Sequence, residues 1–203
     1  MITDKKVKVV LVAILMLFSA QTVFSQNAYL GLKGGFNESN FSTSKINNIH
    51  LNPIPTYNFA FVFSGKLRDR PFGMSLEPGT VLTGTDLNSD SLKYKMRFVN
   101  MPVLLDYYPT KKLKLSAGLE PAYLIGAKRQ SKGSAETSVT NIYNRKFNLF
   151  ANIGLSYSVK YFMDFGLRYS ESLTALSHND EVFQNHKITN GYLQLFILLK
   201  IAN

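Results

Sequence analysis

The chain has 203 residues, a formal net charge of +10, no cysteine and no tryptophan. The length suits one domain, and the missing cysteines exclude a disulfide framework and a lipoprotein anchor. The basic balance raises nucleic acid as a partner, but the first residues argue for export, where anionic lipid head groups or a polar lumen are the better reasons for the charge.

Lys5, Lys6 and Lys8 form a basic start, followed by an apolar run from Val9 to Phe18 that is too short to span a bilayer. Val23-Phe24-Ser25 fits a signal-peptidase site, so residues 1–25 read as a cleaved signal peptide and 26–203 as the mature domain. The alternative for this segment is an N-terminal membrane anchor.

The rest of the chain alternates apolar and polar residues with a period of two, the signature of strands. Strands are expected near Ala28–Asn37, Tyr57–Lys66, Phe72–Thr83, Tyr94–Tyr107, Leu113–Gly126, Phe147–Ser158, Tyr161–Ser170 and Gly191–Ile201. The connections after the second, fourth and sixth are short, and the others are long and polar. An even count of antiparallel strands with alternating short turns and long loops is the layout of a bacterial outer-membrane barrel, with both chain ends in the periplasm. The expected fold is therefore all-β: an eight-stranded, antiparallel, up-and-down transmembrane β-barrel.

Alternation alone does not say which face is inside. A soluble, lipocalin-like barrel would turn the apolar face inward. Three features favour the reverse. The polar rows hold small residues such as Gly31, Gly35, Ser64, Ser75, Gly79, Gly118 and Gly154, which a narrow interior needs. The apolar rows, for example Val99, Met101, Val103, Leu105 and Tyr107, are uncharged and carry tyrosine near their ends, where a ring meets hydrocarbon and a hydroxyl meets water. Charges within the strands fall on the polar rows.

Those charges define the first candidate site. Lys33, Glu77, Asp106, Lys114, Glu120, Asp164 and Arg168 are expected to form a lumen charge network, and eight strands leave room for a salt-bridged plug rather than a pore. The second candidate is a basic outer rim of Lys93, Lys95, Arg97, Lys128, Arg129, Lys132, Arg145 and Lys146, suited to lipopolysaccharide phosphates. Ordinary solvated loop charge explains the rim equally well. His50, His178 and His186 lie in expected long loops. Ser177-His178 beside Asp180 and Glu181 invites a hydrolase reading, but neighbouring loop residues rarely converge as a catalytic group must. No ligand spacing suggests a metal, and no motif calls for a cofactor.

Gly31-Leu32-Lys33-Gly34-Gly35-Phe36-Asn37 resembles the glycine-rich opening strand of the PorT-like outer-membrane β-barrel family. Val99-Asn100-Met101-Pro102-Val103-Leu104-Leu105-Asp106-Tyr107 is similar to its fourth-strand signature. Leu76-Glu77-Pro78-Gly79 and Asp164-Phe165-Gly166-Leu167-Arg168-Tyr169 resemble its third and seventh strands. The chain departs from the pattern at Asn100, where the family usually has a charge, and in its non-aromatic end, Ile201-Ala202-Asn203. The resemblance implies an outer-membrane barrel, with a founding member that assists a secretion system.

The function expected is therefore a structural or interaction role in the cell envelope of a Gram-negative bacterium. The chain would act as a monomer with outer-membrane lipids as its surroundings, an envelope protein partner reached through its loops, no nucleic acid and no catalysis. A small-solute or ion channel and a lipid-modifying enzyme are the alternatives.

Overall fold

A computed structural model describes residues 28–43, 51–68, 70–87, 92–131, 134–143, 146–175 and 188–202. The expected leader at 1–25, the three histidines, Lys132 and Arg145 lie outside the described residues.

Among the described residues eleven strands are formed: β1 (Ala28–Thr43), β2 (Leu51–Lys66), β3 (Phe72–Leu76), β4 (Gly79–Leu87), β5 (Leu92–Asn100), β6 (Val103–Tyr107), β7 (Leu113–Ser131), β8 (Thr137–Ser138), β9 (Phe147–Lys160), β10 (Met163–Ser172) and β11 (Ile188–Ala202). β3 leads into β4 across Glu77-Pro78, and β5 into β6 across Met101-Pro102, so each of these pairs is one stave. Together with β1, β2, β7, β9, β10 and β11 they make eight staves. Every pairing is antiparallel, and β1 pairs with both β2 and β11, so the sheet closes on itself. Closure removes the exposed sheet edges that an open sheet would have to protect.

The two breaks correct the expectation of continuous third and fourth strands, and proline is their cause. Pro78, Pro102 and Pro121 stand on consecutive staves and offer no N–H to a ladder. Their carbonyls still accept: from Phe61 N at 2.9 Å, Glu77 N at 3.0 Å and Met101 N at 3.0 Å, respectively. A proline row thus crosses the wall at mid-height, and the bonds around it hold the staves together.

Several staves also run further than alternation suggested. β1 continues to Thr43, β2 starts at Leu51 and β7 reaches Ser131, all toward the long-loop end. The sixth connection is displaced: β9 runs through Val159 and Lys160, and the turn falls at Tyr161-Phe162.

Through the middle of the wall the faces sort as the pattern required. Toward the long-loop end Lys95 and Arg97, within the expected fourth strand, stand on the outward face, which corrects the expectation that every charge within a strand falls on a polar row. Phe59, Phe61 and Phe63 on β2, and Leu193, Leu195, Ile197 and Leu199 on β11, are exposed on the outside of the ring. Lys33, Glu77, Asp106, Lys114, Glu120, Asp164 and Arg168 are all buried inside it. A charge-free apolar band encircling a polar interior is the reverse of a water-soluble barrel. A lysine or arginine at the middle of such a band would cost about 2–4 kcal/mol in lipid.

Candidate functional site: the filled lumen and the basic rim

The interior is built in three tiers. At the short-turn end, Asp106 accepts from Ser116 Oγ at 2.5 Å and from Ser75 Oγ, and lies 3.6 Å from Lys114 Nζ. Beside it, Lys200 Nζ stands 2.7 Å from Asp164 Oδ1, which also accepts from Ser158 Oγ at 2.7 Å. Serines line this tier beside the charged groups and supply hydroxyl donors to Asp106 and Asp164. Ser64 and Ser75 face each other in register and their hydroxyls are 3.0 Å apart.

The middle tier is one carboxylate between two cations. Arg168 donates from Nη1 to Glu77 Oε2 at 2.7 Å and from Nη2 to Oε1 at 2.8 Å, a two-pronged charge-assisted contact. Lys33 donates to the same Oε2. Both cations rest on the Phe196 ring, 5.2 Å from Lys33 Nζ and 5.4 Å from Arg168 Cζ to its centroid. The ring's negative face spreads some of the positive excess of the trio. Phe196 fits because its partner on β10 is Gly166; a Cβ there would fall 2.2 Å from the ring's Cζ.

Glu120 departs from the expected ion-pair plug. Fully buried, it is held by neutral donors: Asn100 Nδ2 at 2.7 Å, Asn152 Nδ2 at 2.9 Å, and Tyr192 Oη at 2.8 and 2.9 Å to its two oxygens. Asn100, where the PorT-like pattern usually has a charge, thus serves as an amide donor to a buried acid. The seven expected residues are all inside, but they form separate groups, and Lys200 completes one of them.

The long-loop tier is apolar, which corrects the expectation of a lumen filled by polar and charged side chains. Phe41, Val81, Leu87, Tyr94, Met96, Phe98, Leu124, Phe150 and Tyr192 form one buried apolar cluster inside the ring. Phe98 and Phe150 meet edge-on at 6.1 Å, and Phe150 and Tyr192 at 5.7 Å. The segment after β8 folds back over this cluster. Val139 N donates to Ala127 O at 2.9 Å, Thr140 Oγ1 accepts from Ala127 N at 2.8 Å, and Val139 and Tyr143 are buried in the cluster.

The basic rim is only partly assembled. Lys95 and Lys128 face each other across β5 and β7 and share Glu136, at 3.2 and 2.8 Å. The two lysine contacts hold the Glu136 carboxyl below its ordinary value of 4.5. Lys93 lies 3.6 Å from Asp86, and Arg97 is exposed on the same outward face. Arg129 does not join them. It pairs in register with Tyr94, whose side chain points inward. The reason is an extra β7 residue opposite Arg97/Phe98, which shifts the inward set from Leu124 to Ala127 and puts Lys128 outside. Lys146 is half-buried, and its carbonyl accepts from Leu124 N at 2.8 Å.

A further cleft of about 490 Å³ opens at the long-loop end, lined by Glu38, Asn40, Tyr169, Glu171 and Gly191 among others. Tyr169 Oη donates to Glu171 Oε2 at 2.5 Å within it. Among the described residues no group of three or more histidine or acidic side chains is arranged to hold a metal ion.

A family model described as an outer membrane protein beta-barrel domain matches residues 21–178. Neisserial surface protein A (NspA) aligns with a TM-score of 0.58 at 13% identity, covering 87% of this chain and all of that one. Ail, the attachment invasion locus protein of Yersinia pestis, solved in complex with the heparin analogue sucrose octasulfate, aligns with a TM-score of 0.50 at 12% identity, covering 86% of this chain and all of that one. These likenesses concern the fold. No curated protein sequence matches the chain.

Proposed function

The chain belongs to the family of outer membrane protein beta-barrel domains and lies in the outer membrane of a Gram-negative bacterium; from that premise we propose that it is a non-enzymatic structural or interaction protein of the envelope. In this reading its eight staves cross the bilayer up and down, its short turns face the periplasm, and it acts as a monomer of the PorT-like group. The observation that supports this most is the filled lumen. The Lys33–Glu77–Arg168 trio occupies the middle and an apolar cluster capped by Val139 and Tyr143 occupies the outer half. A barrel of eight staves has an interior just wide enough for side chains, and here side chains from nearly every stave fill it.

With the lumen filled, the surfaces left for function are the outer wall and the loops. The outward basic strip of Lys93, Lys95, Arg97 and Lys128 supports contact with phosphates of lipopolysaccharide, at about 1 kcal/mol per basic group near an anionic surface. The long loops are the surface for an envelope protein partner, such as a secretion or assembly component. Planar-bilayer recording of the refolded chain tests the reading. A silent membrane at physiological salt is expected; steady, reproducible unitary openings would replace the structural role with that of a small-solute or ion channel.

A further inference from the structure

The Lys95–Lys128 pair is an unusual thing for a wall to keep. Like charges directly opposite on neighbouring strands destabilise a sheet, and these two are opposite in register with half-exposed to exposed side chains. What reconciles them is a carboxylate brought in from the loop. β8 pairs with Lys128 and Arg129 of β7, and this sets Glu136 at the wall. Its two oxygens then divide between the two ammonium groups, Oε1 to Lys95 at 3.2 Å and Oε2 to Lys128 at 2.8 Å.

A forked pair of anionic oxygens is also what a phosphate group presents, with up to twice the charge. The bridge is in contact with solvent, the Glu136 side chain being 33% exposed, and exposed ion pairs hold weakly. Such a bridge exchanges readily for a stronger anion. The clamp's height says where that anion comes from. Lys95 is four residues above Val99 on β5, roughly 13 Å along the strand, with Arg97 between them. Val99 pairs with Tyr123, and both are exposed on the apolar band. The clamp therefore sits just above the hydrocarbon limit, on the outer wall, at the level of lipid head groups.

We propose that Glu136 is an internal stand-in for phosphate: the Lys95–Lys128 clamp exchanges it for a phosphate group of an outer-leaflet glycolipid, and the exchange frees the segment 134–138 from the wall. This rests on the reading of the rim as a lipid-phosphate contact. The exchange makes loop position depend on the lipid around the barrel, since Glu136 stands three residues before Val139, which plugs the outer lumen.

The full chain, refolded in detergent, is titrated with mixed micelles containing diphosphorylated lipid A, with the fully dephosphorylated glycolipid, and with inorganic phosphate. One lysine at such a surface is worth about 5-fold in affinity, so Lys95→Gln with Lys128→Gln together lower it by about 25-fold. Glu136→Gln removes the competitor and tightens binding by about 2- to 5-fold, the range of an exposed ion pair. Both effects vanish with the dephosphorylated glycolipid. Unchanged or weaker binding by Glu136→Gln, alongside a loss in the lysine variant, overturns the exchange and leaves the rim reading standing. Unaltered binding by the lysine variant overturns both. If millimolar inorganic phosphate binds the clamp as well as the lipid does, the occupant is a free anion and the lipid assignment falls.

Discussion

Removing Glu77 should damage the barrel more than removing Arg168, although each deletes the same two-pronged contact. The difference lies in what remains. Arg168→Met leaves Glu77 with Lys33, a neutral pair, and takes away two bonds to a charged group. Such bonds are worth about 1.5–3 kcal/mol each before the survivors readjust, and the remaining lysine holds the expected net loss to about 2–3 kcal/mol. Glu77→Gln leaves Lys33 and Arg168, whose side chains are 3% and 4% exposed, as two buried cations over one phenyl ring. Breaking a buried pair by deleting one partner costs about 3–5 kcal/mol, because a charge is left uncompensated. Here two are left, and the Phe196 ring returns only about 0.5–2 kcal/mol for each. The assay is a urea titration of protein refolded in lipid, read by the mobility shift between folded and unfolded forms on a gel and by tyrosine emission, the chain having no tryptophan. At equal slope, the Glu77→Gln midpoint should lie below that of Arg168→Met by the equivalent of about 2 kcal/mol. Equal midpoints, or the reverse order, would refute the argument that charge balance governs the middle tier.

Gly166→Ala should cost about 1–3 kcal/mol by pressing a methyl group into the Phe196 ring, and Phe196→Leu in the same chain should recover part of that loss; strict additivity in a urea titration would show that the two sites are not coupled. Glu136, with its folded-state pKa depressed by Lys128 and Lys95, should hold the wall at neutral pH. Its contribution is present above its unfolded value near 4.5 and is lost as pH falls through the lowered folded value. Amide exchange in 134–138 should accordingly be insensitive to pH above about 5, once the intrinsic rate is divided out, and rise below 4; a transition near pH 6 would contradict the assignment.

Much of the wall was legible because each stave states its own alternation. Leu193 to Ile201 can be sorted by face with no knowledge of its neighbours. The extensions of β1, β2 and β7 were hidden for the converse reason. Residues such as Ser39 and Asn40 stand toward the long-loop end, where polar side chains are tolerated on either face and the period fades. The breaks at Pro78 and Pro102 could have been anticipated, since proline withholds a ladder donor on any stave; the row they form with Pro121 depends on register.

The lumen residues were found by face, but their partners were not. Arg168 and Glu77 are separated by 91 positions and Lys33 and Glu77 by 44. Only the closed ring brings them together. Residue types alone leave the pairing open; the structure gives Glu77 both Arg168 and Lys33 as partners. The apolar cluster is spread over several staves. Phe150 interrupts an inward row of Asn148 and Asn152, whereas on β5 Tyr94, Met96 and Phe98 already form an apolar inward row, and together they become a core only when several staves contribute at one height. Arg129 was expected in a loop beyond a strand ending at Gly126; β7 continues to Ser131, and its bulge decides that Lys128 rather than Arg129 faces outward.

Because the chain has no native cysteine, single cysteines can be walked along β11 without further changes, and this is the most direct test of a lipid-facing wall around a filled lumen. With the barrel in bilayers, nitroxide labels at 193, 195, 197 and 199 should be relaxed by lipid-soluble oxygen, whereas thiols at 194, 196 and 198 should be unreactive toward a small water-soluble maleimide. Rapid maleimide reaction at the even positions would mean an open aqueous lumen, and odd positions shielded from oxygen would mean that the apolar face does not meet lipid.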